Sequence, residues 1–167
     1  MSPMKIELRE PLISDAKRYM EILSHPEFYY FPVKPATLKE EKEFLRKTKT
    51  LRKNGTQYDF AILANGRHVG AAGIKMNPQF PYLCEIGYFV DRKYWNKGIA
   101  TRAVKLLETF ITEKLDIVRI ELITAQGNIA SQRVALKSGY KKEGVLRKRL
   151  KVGSTFHDCC LFAKILK

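Results

Sequence analysis

Hydrophobic positions in this chain follow two periods, near two and near 3.6, and the changes of period fall at turn-forming residues. Residues 5–9 alternate Ile6 and Leu8 with Glu7 and Arg9 and stop before Pro11, which predicts a first strand. Ser14 is placed to cap a helix with Ala16, Tyr19, Met20 and Leu23 on one face, halted by His25-Pro26. The aromatic run at 28–32 fits neither period. Thr37 with Glu40 forms a capping-box pattern for a second helix, with Leu38, Phe44, Leu45 and Leu51 inward, ending at Asn54-Gly55. Strands over 58–64 and 67–75 are joined by Asn65-Gly66, the dipeptide that two-residue hairpin turns prefer.

The stretch 84–115 organises the rest. Ile86, Gly87, Tyr88, Phe89 and Val90 form an apolar run of buried-strand length. After the turn Asn96-Lys97-Gly98, the period becomes helical, with Ala100, Ala103, Val104, Leu107, Phe110 and Ile111 on one face. Val118, Ile120 and Leu122 then alternate again, so 84–124 reads as a β–α–β unit whose strands are parallel. Asn128 caps a short helix with Val134 and Leu136 inward, closed by Gly139. Strands over 140–150 and 156–165 follow, turning at Gly153-Ser154. The expectation is one α+β domain over 1–167, with about seven strands in a mixed, mostly antiparallel sheet and about four helices.

Composition narrows the class. At 167 residues, 45% hydrophobic and 29% charged, the chain suits one soluble globular domain. The formal net charge of +14 favours anionic partners such as nucleotides, nucleic acid or ribosomes without choosing among them. Cys159 and Cys160 are neighbours in a strand and face opposite ways, and Cys84 lies in the central strand, so reduced thiols in a cytoplasmic protein are expected. No Cys/His spacing suggests a metal, and no signal-like N-terminus or long apolar run suggests a membrane.

The turn before the central helix has a chemical use. The first turn of a helix leaves amides without partners and carries partial positive charge, which suits phosphate where nearby side chains are small. Gly98 and Ala100 supply that smallness, and Arg92, Lys93, Lys97 and Arg102 add charge. An ordinary turn glycine among solvated lysines fits the same stretch. Lys97-Gly98 lacks the order of a P-loop, which sets that class aside.

The run EIGYFVDRKYWNKGIATRAVKLL, followed by 128–131 and Lys137-Ser138-Gly139-Tyr140, resembles the GCN5-related N-acetyltransferases (GNAT). The tail from Glu143 to Arg147, the last strand with Asp158 and the His25-Pro26-Glu27 segment narrow the resemblance to the RimJ/RimL type. It implies acetyl-coenzyme A as cosubstrate with no metal. The turn at Asn96, Lys97, Gly98, Ile99, Ala100 and Thr101 would hold the pyrophosphate, and the backbone of Phe89 and Val90 would pair with the pantetheine arm. Trp95 stands where the broader family has Gln or Arg.

Attack of an amine on a thioester needs a base and a proton for the leaving thiolate. The resemblance points to Glu85 as base, with an exposed or lysine-paired Glu as the plain alternative. The family's usual tyrosine position is Ala135 here, so Ser131 becomes the candidate proton donor. Asn128 shares its helix face and is a candidate cofactor contact as well as a cap. The implied acceptor is a protein or peptide α-amine, of a ribosomal or another protein, for a monomer or homodimer. A small amine (polyamine, amino acid or antibiotic) is the alternative, and an inactive RNA- or ribosome-binding domain is the rival of another class.

Overall fold

Strands β1 (Ile6–Arg9), β2 (Gln57–Ala64), β3 (Arg67–Met76), β4 (Leu83–Val90), β5 (Arg119–Ala125), β6 (Lys141–Val152) and β7 (Thr155–Ile165) form one sheet in the order β1-β2-β3-β4-β5-β7-β6. Four helices flank it: α1 (Ala16–Leu23), α2 (Leu38–Lys53), α3 (Ile99–Lys114) and α4 (Ile129–Lys137). The computed structural model describes residues 3–32 and 34–167. The expected α+β architecture is therefore observed, including the β4–α3–β5 unit.

Local chemistry sets many of the boundaries. Asn65 (φ 49°) and Gly66 (φ 77°) turn β2 into β3, and the Asn65 carboxamide accepts from the Lys5 amide at 2.8 Å, tying β1 to the turn. The Thr37 hydroxyl accepts from the Glu40 amide, while Glu40 reaches back to the Ala36 amide. Gly139, at φ 83°, ends α4.

Every neighbouring strand pair is antiparallel except β4–β5, and that pair is short. Its register is Leu83 with Arg119, Cys84 with Ile120 and Glu85 with Glu121. Beyond Glu85 the two strands run on unpaired, β4 to Val90 and β5 to Ala125, while each keeps its other neighbour. The sheet is zipped at one end of this joint and split at the other.

The core sits mainly on one face. Ile99, Ala103, Val104, Leu107 and Ile111 of α3 pack with Ile62, Val69, Ile74, Cys84, Ile86, Ile120, Leu122 and Phe162. Each fully buried Ile or Leu there contributes about 1.5–3 kcal/mol of transfer free energy. On the other face, Tyr19 and Leu45 meet Ala71 and Phe89, and a second cluster joins Ile22, Leu23 and Phe28 to Phe31, Phe89 and Trp95. Arg9 makes two hydrogen bonds to Asp15, and Arg18 pairs with Asp91 just past β4.

Several expectations are corrected. Ser14 does not cap α1; Asp15 precedes it, and its carboxylate accepts the Leu12 amide and holds Arg9 instead. Leu38 and Phe44 are 39% and 40% exposed, because the inward stripe of α2 is Glu41, Leu45 and Thr48. Leu136 is 57% exposed, because α4 turns Ala135 inward. In β6 the register slips between Leu146 and Leu150, with Lys148 at φ 50° and its amide held by Asp158 at 2.8 Å.

Candidate active site

The split between β4 and β5 opens a cleft of about 580 Å³ whose lining includes Glu85, Tyr88, Gly98, Asn128, Ser131 and Arg149. Backbone alternation decides which β4 groups face it. The Leu83 carbonyl accepts from Asn77 and the Asp91 amide donates to Val69, both on the β3 side. Odd-numbered β4 residues therefore spend their backbone groups on β3, and Ile86, Tyr88 and Val90 direct theirs toward β5, which diverges from β4 beyond Glu85. The expected pairing through Phe89 does not fit this alternation: its N–H and C=O face β3, and its ring packs on Tyr19, Phe28 and Phe31. The Val90 carbonyl accepts the Trp95 indole N–H at 2.7 Å. That leaves the Val90 amide and both backbone groups of Tyr88 facing the cleft.

Gly98 begins α3 as its cap at φ 70°, a left-handed conformation that favours glycine, and Asn96 beside it has φ 61°. The first intrahelical donor is the Arg102 amide, to the Gly98 carbonyl, so the amides of Ile99, Ala100 and Thr101 precede the ladder. No acidic side chain lies in this first turn. The Arg102 guanidinium binds the carbonyls of Lys97 and Met4 at 2.9 and 2.7 Å, bracing the turn. Lys97 rests its ammonium 5.2 Å from the centre of the Tyr94 ring. Free amides, small side chains and the absence of acids fit a pyrophosphate, so the turn predicted from sequence has the geometry to hold one.

Glu85 is the last zipped residue of β4. Its register partner Glu121 is engaged by Arg119 at 2.8 Å, whereas Glu85 has no hydrogen bond or ion pair among the described residues. Burial pushes its carboxyl above the ordinary range, with Arg149 and Lys75 partly opposing and Glu121 reinforcing the rise. Glu85 and Phe89 point to the α1/α2 face of the sheet, and Ile86, Tyr88 and Val90 to the α3/α4 face.

On that second face the Asn128 carboxamide accepts the Ser131 amide at 3.1 Å, capping α4 and fixing Ser131. The Ser131 hydroxyl lies 3.0 Å from the Tyr88 hydroxyl. Ala135 is fully buried below. Burial lifts the Tyr88 phenol to about 12, with the Ser131 bond pulling the other way.

Tyr88 escaped sequence reasoning, and Tyr30 and Arg149 also line the cleft. Tyr88 reads as core, and only its opposite parity to Glu85 hints at a different face. Tyr30 crosses the cleft to the β5–α4 turn, where a Cβ on Gly127 would sit 2.2 Å from its hydroxyl. Tyr29 and Tyr30 both meet His157 edge-on, with the Tyr29 hydroxyl 3.2 Å from its ring nitrogen. Arg149 enters through the slip in β6, which no sequence period announces.

A split parallel pair beside a helix terminus with free amides suits a phosphate-bearing ligand whose extended arm enters between two strands. Comparison with known proteins agrees: residues 5–141 match the family model described as "Acetyltransferase (GNAT) domain". The chain belongs to the GNAT acetyltransferase family, whose members transfer acetyl groups to amines. A Bacillus licheniformis protein described as "Uncharacterized N-acetyltransferase p20" is 27% identical over 95% of this chain and 92% of its own length. The "Ribosomal-protein-serine acetyltransferase" of Escherichia coli is 24% identical over 70% of this chain and 65% of its own. The chain spans less than two thirds of that relative and of several others. The solved structure of RimL, a ribosomal-protein α-N-acetyltransferase in complex with coenzyme A, superposes with a TM-score of 0.85 at 19% identity, over 96% of this chain and 94% of that one. Among the described residues no helix is long and apolar enough to cross a membrane.

Proposed function

We propose that this protein transfers acetyl from acetyl-coenzyme A to the α-amine of a protein or peptide by direct attack of the amine on the thioester. The observation that carries the reading is the alignment of one opening: unpaired β4 edge, free α3 amides and unpartnered Glu85 all border the same cleft. The cosubstrate supplies the activated acyl carbon when bound.

The chain's own residues supply the rest. The amides of Ile99 to Thr101 hold the pyrophosphate, with Asn96, Lys97 and Gly98 shaping the turn. The β4 groups at Tyr88 and Val90 hold the arm as an added strand would, and a β4 amide is available to the developing oxyanion. Asn128 orients Ser131. Glu85 takes the proton of the incoming ammonium, and its raised pKa makes it a stronger base than an ordinary carboxylate. Ser131 hands a proton to the departing sulfur. Relatives that modify ribosomal proteins support a protein α-amine as acceptor.

A second reading, a small amine as acceptor, is favoured by one feature: Tyr29 and Tyr30, latched on His157, roof the acceptor side and narrow it. Coenzyme A release measured with peptide N-termini in one set and small amines in another separates the two. Peptide-dependent turnover supports the first reading, and turnover confined to small amines moves the assignment to the second. Failure to bind acetyl-coenzyme A would overturn both.

A further inference from the structure

Tyr88 lines the cleft with a hydroxyl that has no part in the scheme above, and its surroundings are specific. It stands on the unpaired half of β4, in the stretch whose backbone faces the cleft. Its ring packs against the main core, so the phenol is placed rigidly. Its oxygen lies 3.0 Å from the Ser131 hydroxyl, across the split from one bordering element to the other. Ser131 is itself held from behind, because Asn128 takes its amide. Where the family pattern would place a helix tyrosine, Ala135 is buried and carries no proton to give.

A serine hydroxyl alone is a poor acid. A serine that accepts a hydrogen bond from a phenol can release its own proton outward while the phenol proton replaces it. We propose that Tyr88 is the proton source behind Ser131, replacing from the strand the phenol that α4 lacks. The inference rests on the acetyl-transfer reading of the cleft.

The bookkeeping of the step closes. The amine nitrogen bonds to the acyl carbon, the C–S bond breaks, and its electron pair stays on sulfur. The Ser131 O–H proton goes to sulfur and the Tyr88 O–H proton goes to the Ser131 oxygen. Glu85 passes the first proton, taken from the ammonium, to water and then accepts the second proton that nitrogen loses on attack, and exchange with water restores Glu85 and Tyr88. Net, the ammonium gives up two protons per turnover, one balanced on the thiol and one released to solvent. Tyr88 acts through Ser131 and is a positioning, proton-supplying residue rather than one that touches the sulfur.

The test compares Tyr88→Phe, Ser131→Ala and the double variant with the unaltered protein. Tyr88→Phe keeps the ring and its packing. It should lower kcat by about 10- to 100-fold, while coenzyme A affinity by calorimetry stays within about twofold. The double variant should be no slower than the slower single variant, because the two groups act as one unit. Without any ligand, carbon-labelled tyrosine NMR should find the Tyr88 phenol titrating higher in Ser131→Ala, since the serine bond favours the phenolate. Unchanged kcat in Tyr88→Phe overturns the proposal. So does a loss that multiplies in the double variant, or one matched by an equal loss of coenzyme A affinity. An unaltered protein that binds no coenzyme A fails the acetyl-transfer reading itself, while the phenol titration still reports on the pair.

Discussion

The two ends of β4 use similar residues to opposite purposes. At the zipped end the strand is closed on both sides, yet Glu85 is left with no partner and a raised pKa. At the split end the backbone is open, yet Asp91 is held by Arg18 and by the Lys93 amide. Burial raises the Asp91 carboxyl, but those contacts outweigh it and the net shift is downward. The open backbone needs a tightly tied end to keep its shape, whereas the closed backbone can carry a frustrated side chain. The two carboxylates differ in contact: Asp91 has the Arg18 guanidinium bonded to it, whereas Glu85 has only the more distant Arg149 and Lys75.

The comparison breaks most visibly at Glu85. Glu85→Gln should lower kcat/KM by about 10²- to 10⁴-fold. In the unaltered protein activity should fall as pH drops through the raised Glu85 pKa, and this acid limb should vanish in the variant. Stability should move the other way. A raised folded pKa means the neutral form is favoured by folding, so its stabilisation is present below the unfolded pKa and lost as pH rises through the folded one. Glu85→Gln should therefore melt no lower than the parent at pH 7, and a lower Tm there would count against an uncompensated carboxylate.

Asp91→Asn should behave as the mirror image. Losing charge-assisted bonds should cost about 1.5–3 kcal/mol at neutral pH, read from urea midpoints. Because its folded pKa is depressed, Asp91 stabilises above the unfolded carboxylate pKa of about 3.9 and loses that contribution as pH falls below it toward the folded value. The variant should show a shallower acid-induced loss.

Amide hydrogen exchange sharpens the backbone half of the contrast. Coenzyme A should slow the Tyr88 and Val90 amides by about tenfold or more, through protection of an open edge, and leave Phe89, already paired to β3, nearly unchanged. The smallest effect belongs to the roof. Gly127→Ala must push Tyr30 aside at about 0.5–1.5 kcal/mol. It should lower Tm slightly and, through the displaced Tyr30, shift acceptor KM by no more than about tenfold with coenzyme A affinity intact.

Features held by neighbours in sequence were legible, and features held by docking were not. Asn65-Gly66, the Thr37 cap, the Asn128 cap and the turn at Gly98 follow from one residue's conformational or hydrogen-bonding needs. The pair Tyr88 and Ser131 is 43 residues apart and exists only because α4 lies across β4 at one register. Leu38, Phe44 and Leu136 fit a helical period but point outward, since the period says nothing of where the sheet ends. Trp95 looked like a departure from the family pattern. The structure gives it work, donating to the Val90 carbonyl and packing edge-on against Phe28 at 5.9 Å.

The placement of the cleft walls along the chain has a consequence for acceptor choice. On the proposed reading, the cofactor side is drawn from positions within 85–101 and 122–137, while the acceptor side is drawn from 27–32 and 149–159. The family match stops at residue 141, short of the second of these. On the proposed reading, substitutions in the two outer segments should change acceptor choice more than coenzyme A affinity, except at Phe28 and Tyr30, which pack on Phe89, Trp95 and Gly127.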